Sequence, residues 1–520
     1  MGCGDGPLNT PTWLRWLWII PGLFLVVFLI TPLVRMASTI HLDALADLQL
    51  WSIAIIAAGQ AVLSVLLALG FGLPIAAVVT RYRVWGSRWT LALVTIPFVL
   101  PTVVVGLAFR SLIGSATGLL IVVLAHAYIN IAVVVRVVGA TWAQLDDRFG
   151  VISASLGATP WRTWWRVTVP QLRPALIASS AIVFLFSFTS LGIVVILGDR
   201  WSRTLEVQVL RNTAVLLDFG AATAAAVLQL VVVTLVVLWL IRQPTATRLP
   251  RDQAQRPLPA NGLTRVRIVM TLIGANVIVL APLAFLFLAS LRSSSGWTLQ
   301  WWASLGTVDA GTTRLGSPAQ ALAQSLGFAI LTGIIAAGIG GAAAIATLGR
   351  QRIIGALAVI PLGVSAATLG LGLLLTFGRP PIDLRGWGVL IPIAHALVAI
   401  PLVVAVVAPA LRATDRRLID VASSLGAAPT RAFWTAYGPI LRTVMIAAGG
   451  LAAAVSLGEF GAARFLGRPG APTVPVQIAR LLSRPGEQSY GVAAVLAVVL
   501  VLATLALVGF VDRLGKRVQH

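Results

Sequence analysis

The stretch Ala125–Arg148, AHAYINIAVVVRVVGATWAQLDDR, returns 269 residues later as Ala394–Arg417, AHALVAIPLVVAVVAPALRATDRR. His126 pairs with His395 and Asp146 with Asp415. At the same offset Ala154–Arg173, ASLGATPWRTWWRVTVPQLR, meets Ser423–Arg442, SSLGAAPTRAFWTAYGPILR, and TLEVQVLR from Thr204 meets TVPVQIAR from Thr473. Three matched blocks in one register are an internal duplication, a feature common among transporters. Apolar runs near 175–197 and 441–463 separate the later blocks, so the duplicated unit is a membrane unit.

Composition agrees. Of 520 residues, 58% are hydrophobic and only 10% charged, and the mean hydropathy is +0.95, which excludes an ordinary soluble enzyme. The net charge of +22 is mostly arginine in short segments between apolar runs, a distribution that reports topology and excludes nucleic acid as a partner. Cys3 is the single cysteine, so no intramolecular disulfide or cysteine metal site is available.

A span needs about 20 mostly apolar residues. Runs near 17–36, 51–79, 91–109, 118–138, 175–197 and 219–241 give six, and runs near 266–290, 318–348, 353–377, 386–410, 441–463 and 489–511 give six more. The run at 17–36 has no distinct small-residue cleavage site and reads as a retained helix. The fold class is therefore an all-α polytopic membrane protein of about 12 transmembrane helices in two parallel six-helix repeats. The first domain covers 1–241, the second 266–520, and the Pro-, Arg- and Gln-rich segment 242–265 is a linker. Arginine-rich loops stay on the cytoplasmic side. Arg81, Arg83 and Arg88, then Arg148, Arg162, Arg166 and Arg173, then the linker, place these loops and both termini inside a plasma (inner) membrane.

The repeated loops, about 141–173 and 412–442, share one frame: Leu156, Gly157 and Pro170 in copy one, and Leu425, Gly426 and Pro439 in copy two, with thirteen residues from Gly to Pro each time. Glycine permits a turn that a Cβ resists, and proline, lacking its N–H, is expected to end the following helix. Between them Trp161, Trp164 and Trp165, or Phe433 and Trp434, are expected to leave apolar surface on a short basic helix, a docking feature. This frame resembles the EAA loop of type I binding-protein-dependent ABC importer permeases, whose consensus runs Glu-Ala-Ala, three residues, Gly, nine residues, Ile-x-Leu-Pro. Copy two has Asp420, Val421 and Ala422 at the head, and copy one has Val151, Ile152 and Ser153. The fused form is similar to thiamine and ferric-iron permeases through SFTSLGIVVILG from Ser187 and SLGEFGAARFLG from Ser456. The resemblance implies that both loops couple to two copies of an ABC ATPase subunit, that ATP and Mg are held on that partner, and that an extracytoplasmic substrate-binding protein delivers thiamine or ferric iron. The alternative is a secondary transporter with two parallel six-helix halves driven by an ion gradient.

No cofactor is expected on this chain, since its single lysine, Lys516, follows Gly515 but precedes Arg517, so no phosphate-binding loop is present. Nor is there a catalytic triad or a metal-ligand spacing, so no catalytic or metal residue is assigned. Polar groups in apolar runs are candidates for the substrate pathway because they are costly there. They are Glu459, His126 and His395. Glu459 either attracts a cationic substrate or pairs with Arg464 at the membrane boundary, and the histidines either line the pathway or pack helices. Arg200, Arg203, Arg468 and Arg484 fall in loops expected outside, where they meet acidic patches of the binding protein or lipid headgroups.

Overall fold

In the computed structural model, residues 11–146, 148–243, 256–258, 262–306, 317–348, 360–379, 382–415, 417–468 and 470–518 are described. Helices dominate, because in hydrocarbon every backbone N–H and C=O must be satisfied within its own segment. In chain order the main ones are α1 (Thr12–Ala37), α2 (Leu48–Arg81), α3 (Ser87–Val99), α4 (Thr102–Ile113), α5 (Leu119–Trp142), α6 (Arg148–Ser155), α7 (Pro160–Phe188), α8 (Gly192–Leu197), α9 (Leu205–Ala214) and α10 (Phe219–Ile241). The second copy supplies α11 (Leu263–Ala289), α12 (Pro318–Ala346), α13 (Ala366–Phe377), α14 (Leu390–Ala413), α15 (Arg417–Ser424), α16 (Pro429–Gly458), α17 (Gly461–Leu466), α18 (Val474–Leu482) and α19 (Glu487–Val518). Short helices at Leu42–Ala46, Gln300–Ala303, Ile360–Gly363 and Arg385–Trp387 and three pairings of two-residue strands complete the described elements. One of them sets Tyr82–Arg83 parallel to Arg256–Pro257, so part of the expected linker is hydrogen-bonded.

Among the described residues ten helices are long and apolar enough to cross a membrane. The all-α polytopic class holds, while the third span departs from expectation. The run 91–109 is two helices, α3 and α4, meeting at 108°. Leu100 and Pro101 are extended at the corner, with ψ of 145° and 135°, because Pro101 restricts the residue before it to extended backbone. In copy two α13 has the same twelve-residue length as α4, and most of the stretch before it, 349–359, lies outside the described residues.

Two compact units emerge, and they do not follow the sequence repeats. One comprises 1–41, 217–223 and 299–520; the other comprises 42–216 and 224–298. The opening helix of each copy is thus found in the unit built mainly by the other copy. In the first-named unit α12, α14 and α16 enclose a core around Ala343, Val403 and Ala448. There α1 packs on α13, where Gly372 brings its backbone against Pro32 and Met36. In the other unit α2, α5 and α7 enclose Val134, Val138 and Leu172. Here α11 lies along α3 and α4, and the Tyr128 hydroxyl donates to the Val279 carbonyl at 2.9 Å. Glycines allow close helix crossings in both copies: a Cβ at Gly72 would meet Val134 at 2.7 Å, and one at Gly340 would meet Val403 at 2.8 Å.

Candidate functional site

Each repeated loop is a short helix, a glycine turn and a long helix: α6, Gly157, α7 in copy one, and α15, Gly426, α16 in copy two. The entrance is capped alike. Asp146 accepts from the Arg148 N–H and Asp415 from the Arg417 N–H, both at 2.9 Å. The exit is a Schellman motif. The Ala158 N–H donates to the Ser153 carbonyl and the Gly157 N–H to the Ala154 carbonyl; Ala427 and Gly426 repeat this to Ala422 and Ser423, all at 3.0 Å. Such a closure requires left-handed backbone at its glycine, and φ is 76° at Gly157 and 81° at Gly426. At position 153 the Ser hydroxyl shares a 2.7 Å hydrogen bond with Thr163; copy two places Ala422, half-buried, opposite Ala432.

The turn displays its leucine. Leu156 is 81% exposed and Leu425 82%. Trp161, Trp165 and Trp434 are also exposed. Two of the expected surface aromatics are not. Phe433 is buried against Trp13 and Tyr437, and Trp164 is half-buried with its ring 5.4 Å from Trp142. Asp420 is exposed in the first turn of α15, a favourable place for an acid at a helix N-terminus, and the corresponding Val151 is exposed too.

The prolines do not end their helices, contrary to expectation. Pro439 lies inside α16. In α7 a π turn over Trp164–Thr168 precedes Pro170, and the Val169 N–H reaches back five residues to the Trp164 carbonyl. That wider turn makes room for a ring that would otherwise meet the carbonyl four residues before it. Both helices therefore continue as membrane-length spans.

The apolar-run candidates fall into two environments. His395 is buried on α14 and its Nδ1 lies 2.8 Å from Ser456 Oγ, which donates to Thr332 at 3.1 Å. Glu459 follows within a turn, at the break between α16 and α17, and its Oε1 accepts from the Ala462 N–H at 3.3 Å. It caps α17 and forms no ion pair with Arg464. In copy one Asn130 takes the equivalent hydroxyl, donating to Ser187 Oγ at 3.4 Å, and buried His126 is left without a partner at either ring nitrogen. Glu206, almost fully buried with Gln229 donating to it at 2.9 Å, is a buried carboxylate not assigned from the sequence. Its signal stood in TLEVQVLR, one acid in an apolar block.

The arginine loops sit between α8 and α9 and between α17 and α18. Arg200 stacks on Trp201 at 4.7 Å. Beside it burial favours a raised Asp199, but the Ser202 hydroxyl and the Trp201 and Ser202 N–H groups donate to its carboxylate and hold it below its ordinary value. Arg203 is half-buried in the same loop. Arg468 pairs by backbone with Ala471 and its carbonyl accepts from Arg480, while Arg484 is exposed at the end of α18.

Residues 68–243 and 352–520 each match the family described as binding-protein-dependent transport system inner membrane component. The sulfate transport system permease protein CysT of Escherichia coli is 32% identical over 30% of this chain, and the match spans 62% of that relative. The molybdenum transport system permease protein ModB of Mycobacterium tuberculosis is 31% identical over 45% of this chain and 94% of its own length. A putative 2-aminoethylphosphonate transport system permease protein, PhnV, of Salmonella typhimurium is 30% identical over 45% and 89%. With two family matches over well over half its length, the chain belongs to the binding-protein-dependent transport system inner membrane components and is a multi-pass, two-copy permease subunit of the inner membrane.

Proposed function

We propose that this chain forms the transmembrane passage of an ATP-driven importer. Two ABC ATPase subunits dock on the two glycine-turn loops from the cytoplasm and bind ATP and Mg there, and an extracytoplasmic binding protein hands over the solute. The observation that carries the reading is the repeated Schellman turn, which displays Leu156 and Leu425 at matching positions, each backed by an exposed tryptophan at the start of a helix that crosses the bilayer. A rigid helix of that length transmits a push at one end to the other, which coupling requires and an ion-driven carrier does not. Purified alone, the chain is expected to hydrolyse no ATP. Gly426→Glu is expected to abolish co-purification with its ATPase, while wild-type uptake on an ion gradient without ATP would sink the reading.

Thiamine or ferric iron is the solute implied by the resemblance. An oxyanion is the second reading. In its favour, burial holds the guanidinium pKa values of Arg464, on α17, and Arg480, on α18, below their ordinary range, and for Arg480 the neighbouring Arg464 adds to this, while Glu459 is engaged with backbone. Sulfate and 2-aminoethylphosphonate, named for two relatives, carry anionic oxygens. Thermal shifts of the cognate binding protein with thiamine, ferric iron, sulfate and molybdate separate the two.

A further inference from the structure

Position 164 and position 433 are equivalent in the two copies, and an aromatic ring covers each. In copy one the cover is Trp142, the last residue of α5, with its ring 5.4 Å from that of Trp164. In copy two the residue equivalent to Trp142 is Leu411, buried at the end of α14. The cover comes instead from the opening of the chain. Trp13 sets its ring 5.3 Å from Phe433, edge to face at 89°, and stacks 6.2 Å from Trp434 at an interplanar angle of 13°. Phe433 continues the cluster to Tyr437 at 4.9 Å. Next to it Leu14 is buried in the core that α12, α14 and α16 share.

The same short segment faces the other way with its remaining tryptophans. Trp16 is 68% exposed and Trp18 39%. Amphipathic indoles at the end of a span settle at headgroup level. One side of the segment is thus suited to the bilayer surface while the other packs on α16.

We infer that Trp13 is a positioning residue for the second docking helix, through which the opening segment ties α16 to the membrane interface and sets the angle at which Leu425 and Trp434 meet the ATPase. The inference rests on the importer reading above. It also makes the two docking loops unlike: the first is steadied from within its own copy, the second by the chain's opening segment.

The test uses the full complex with its ATPase and binding protein in proteoliposomes, reading uptake and binding-protein-stimulated ATP hydrolysis together. Trp13→Ala is expected to lower uptake per ATP about threefold or more, in keeping with the loss of an aromatic pair, and Trp13→Phe to restore most of it. Wild-type values for Trp13→Ala in both readouts overturn the inference, as does a loss of uptake that Trp13→Phe leaves unrepaired. Should Trp13→Ala fail to accumulate, Trp13→Leu, which keeps apolar bulk without the ring, takes its place in the same two readouts. Lowered uptake per ATP that Trp13→Phe restores supports the inference, and wild-type values for Trp13→Leu overturn it. ATP-independent uptake by the wild type, by contrast, brings down the importer reading itself.

Discussion

Gly157 and Gly426 show how a single residue type is legible without its surroundings. A Cβ at either would meet nothing within 4 Å, so the requirement is purely one of backbone, and a backbone requirement is written in the local sequence. Phe433 is the opposite case. An aromatic run on a helix looks the same whichever side turns inward, and the partner that buries Phe433, Trp13, is some 420 residues away in the chain. The histidines required the same distant information. His395 has a partner at Nδ1 because Ser456 reaches it, whereas in copy one Asn130 donates to Ser187 and His126 has a partner at neither ring nitrogen. Ser456→Ala is therefore expected to leave Nδ1 of His395 without its partner and to cost about 1–3 kcal/mol. A lowered midpoint of thermal unfolding in detergent would show it, whereas an unchanged midpoint would mean that the hydrogen bond contributes nothing.

At the scale of elements, hydropathy located the spans because each long helix needs a long apolar run. It missed the corner between α3 and α4 since both arms are apolar, and a sum over the run cannot register a bend. Pro101 was the available signal. Proline was also over-read at Pro170 and Pro439. Its penalty in a helix, about 3 kcal/mol, is an interior value measured in water, whereas a spanning helix must keep its backbone paired and absorbs the ring by a local widening, as the π turn of α7 does. Pro439→Ala is accordingly expected to leave α16 continuous and to preserve or raise thermal stability, with uptake retained. A marked drop in the unfolding midpoint would show that the proline is structurally required.

The duplication, visible at one offset in three matched blocks, was the most legible property of the whole molecule. Which helix joins which compact unit was not, for a repeat states that two segments are alike and says nothing about where either packs. The exchange of α1 and α11 makes the halves depend on each other. A chain severed between residues 243 and 256 is expected to yield fragments that co-purify when made together and fail to accumulate when made singly. A fragment that is monodisperse and stable on its own would contradict this. The exchange also has a consequence in time. During synthesis α1 is made well before the surface that receives Pro32 and Met36, which lies on α13, around Gly372. The roughly 340 residues between them take on the order of half a minute to translate at about 5–20 residues per second. For that interval α1 waits without the surface that will receive it, and its berth is made only when α13 follows.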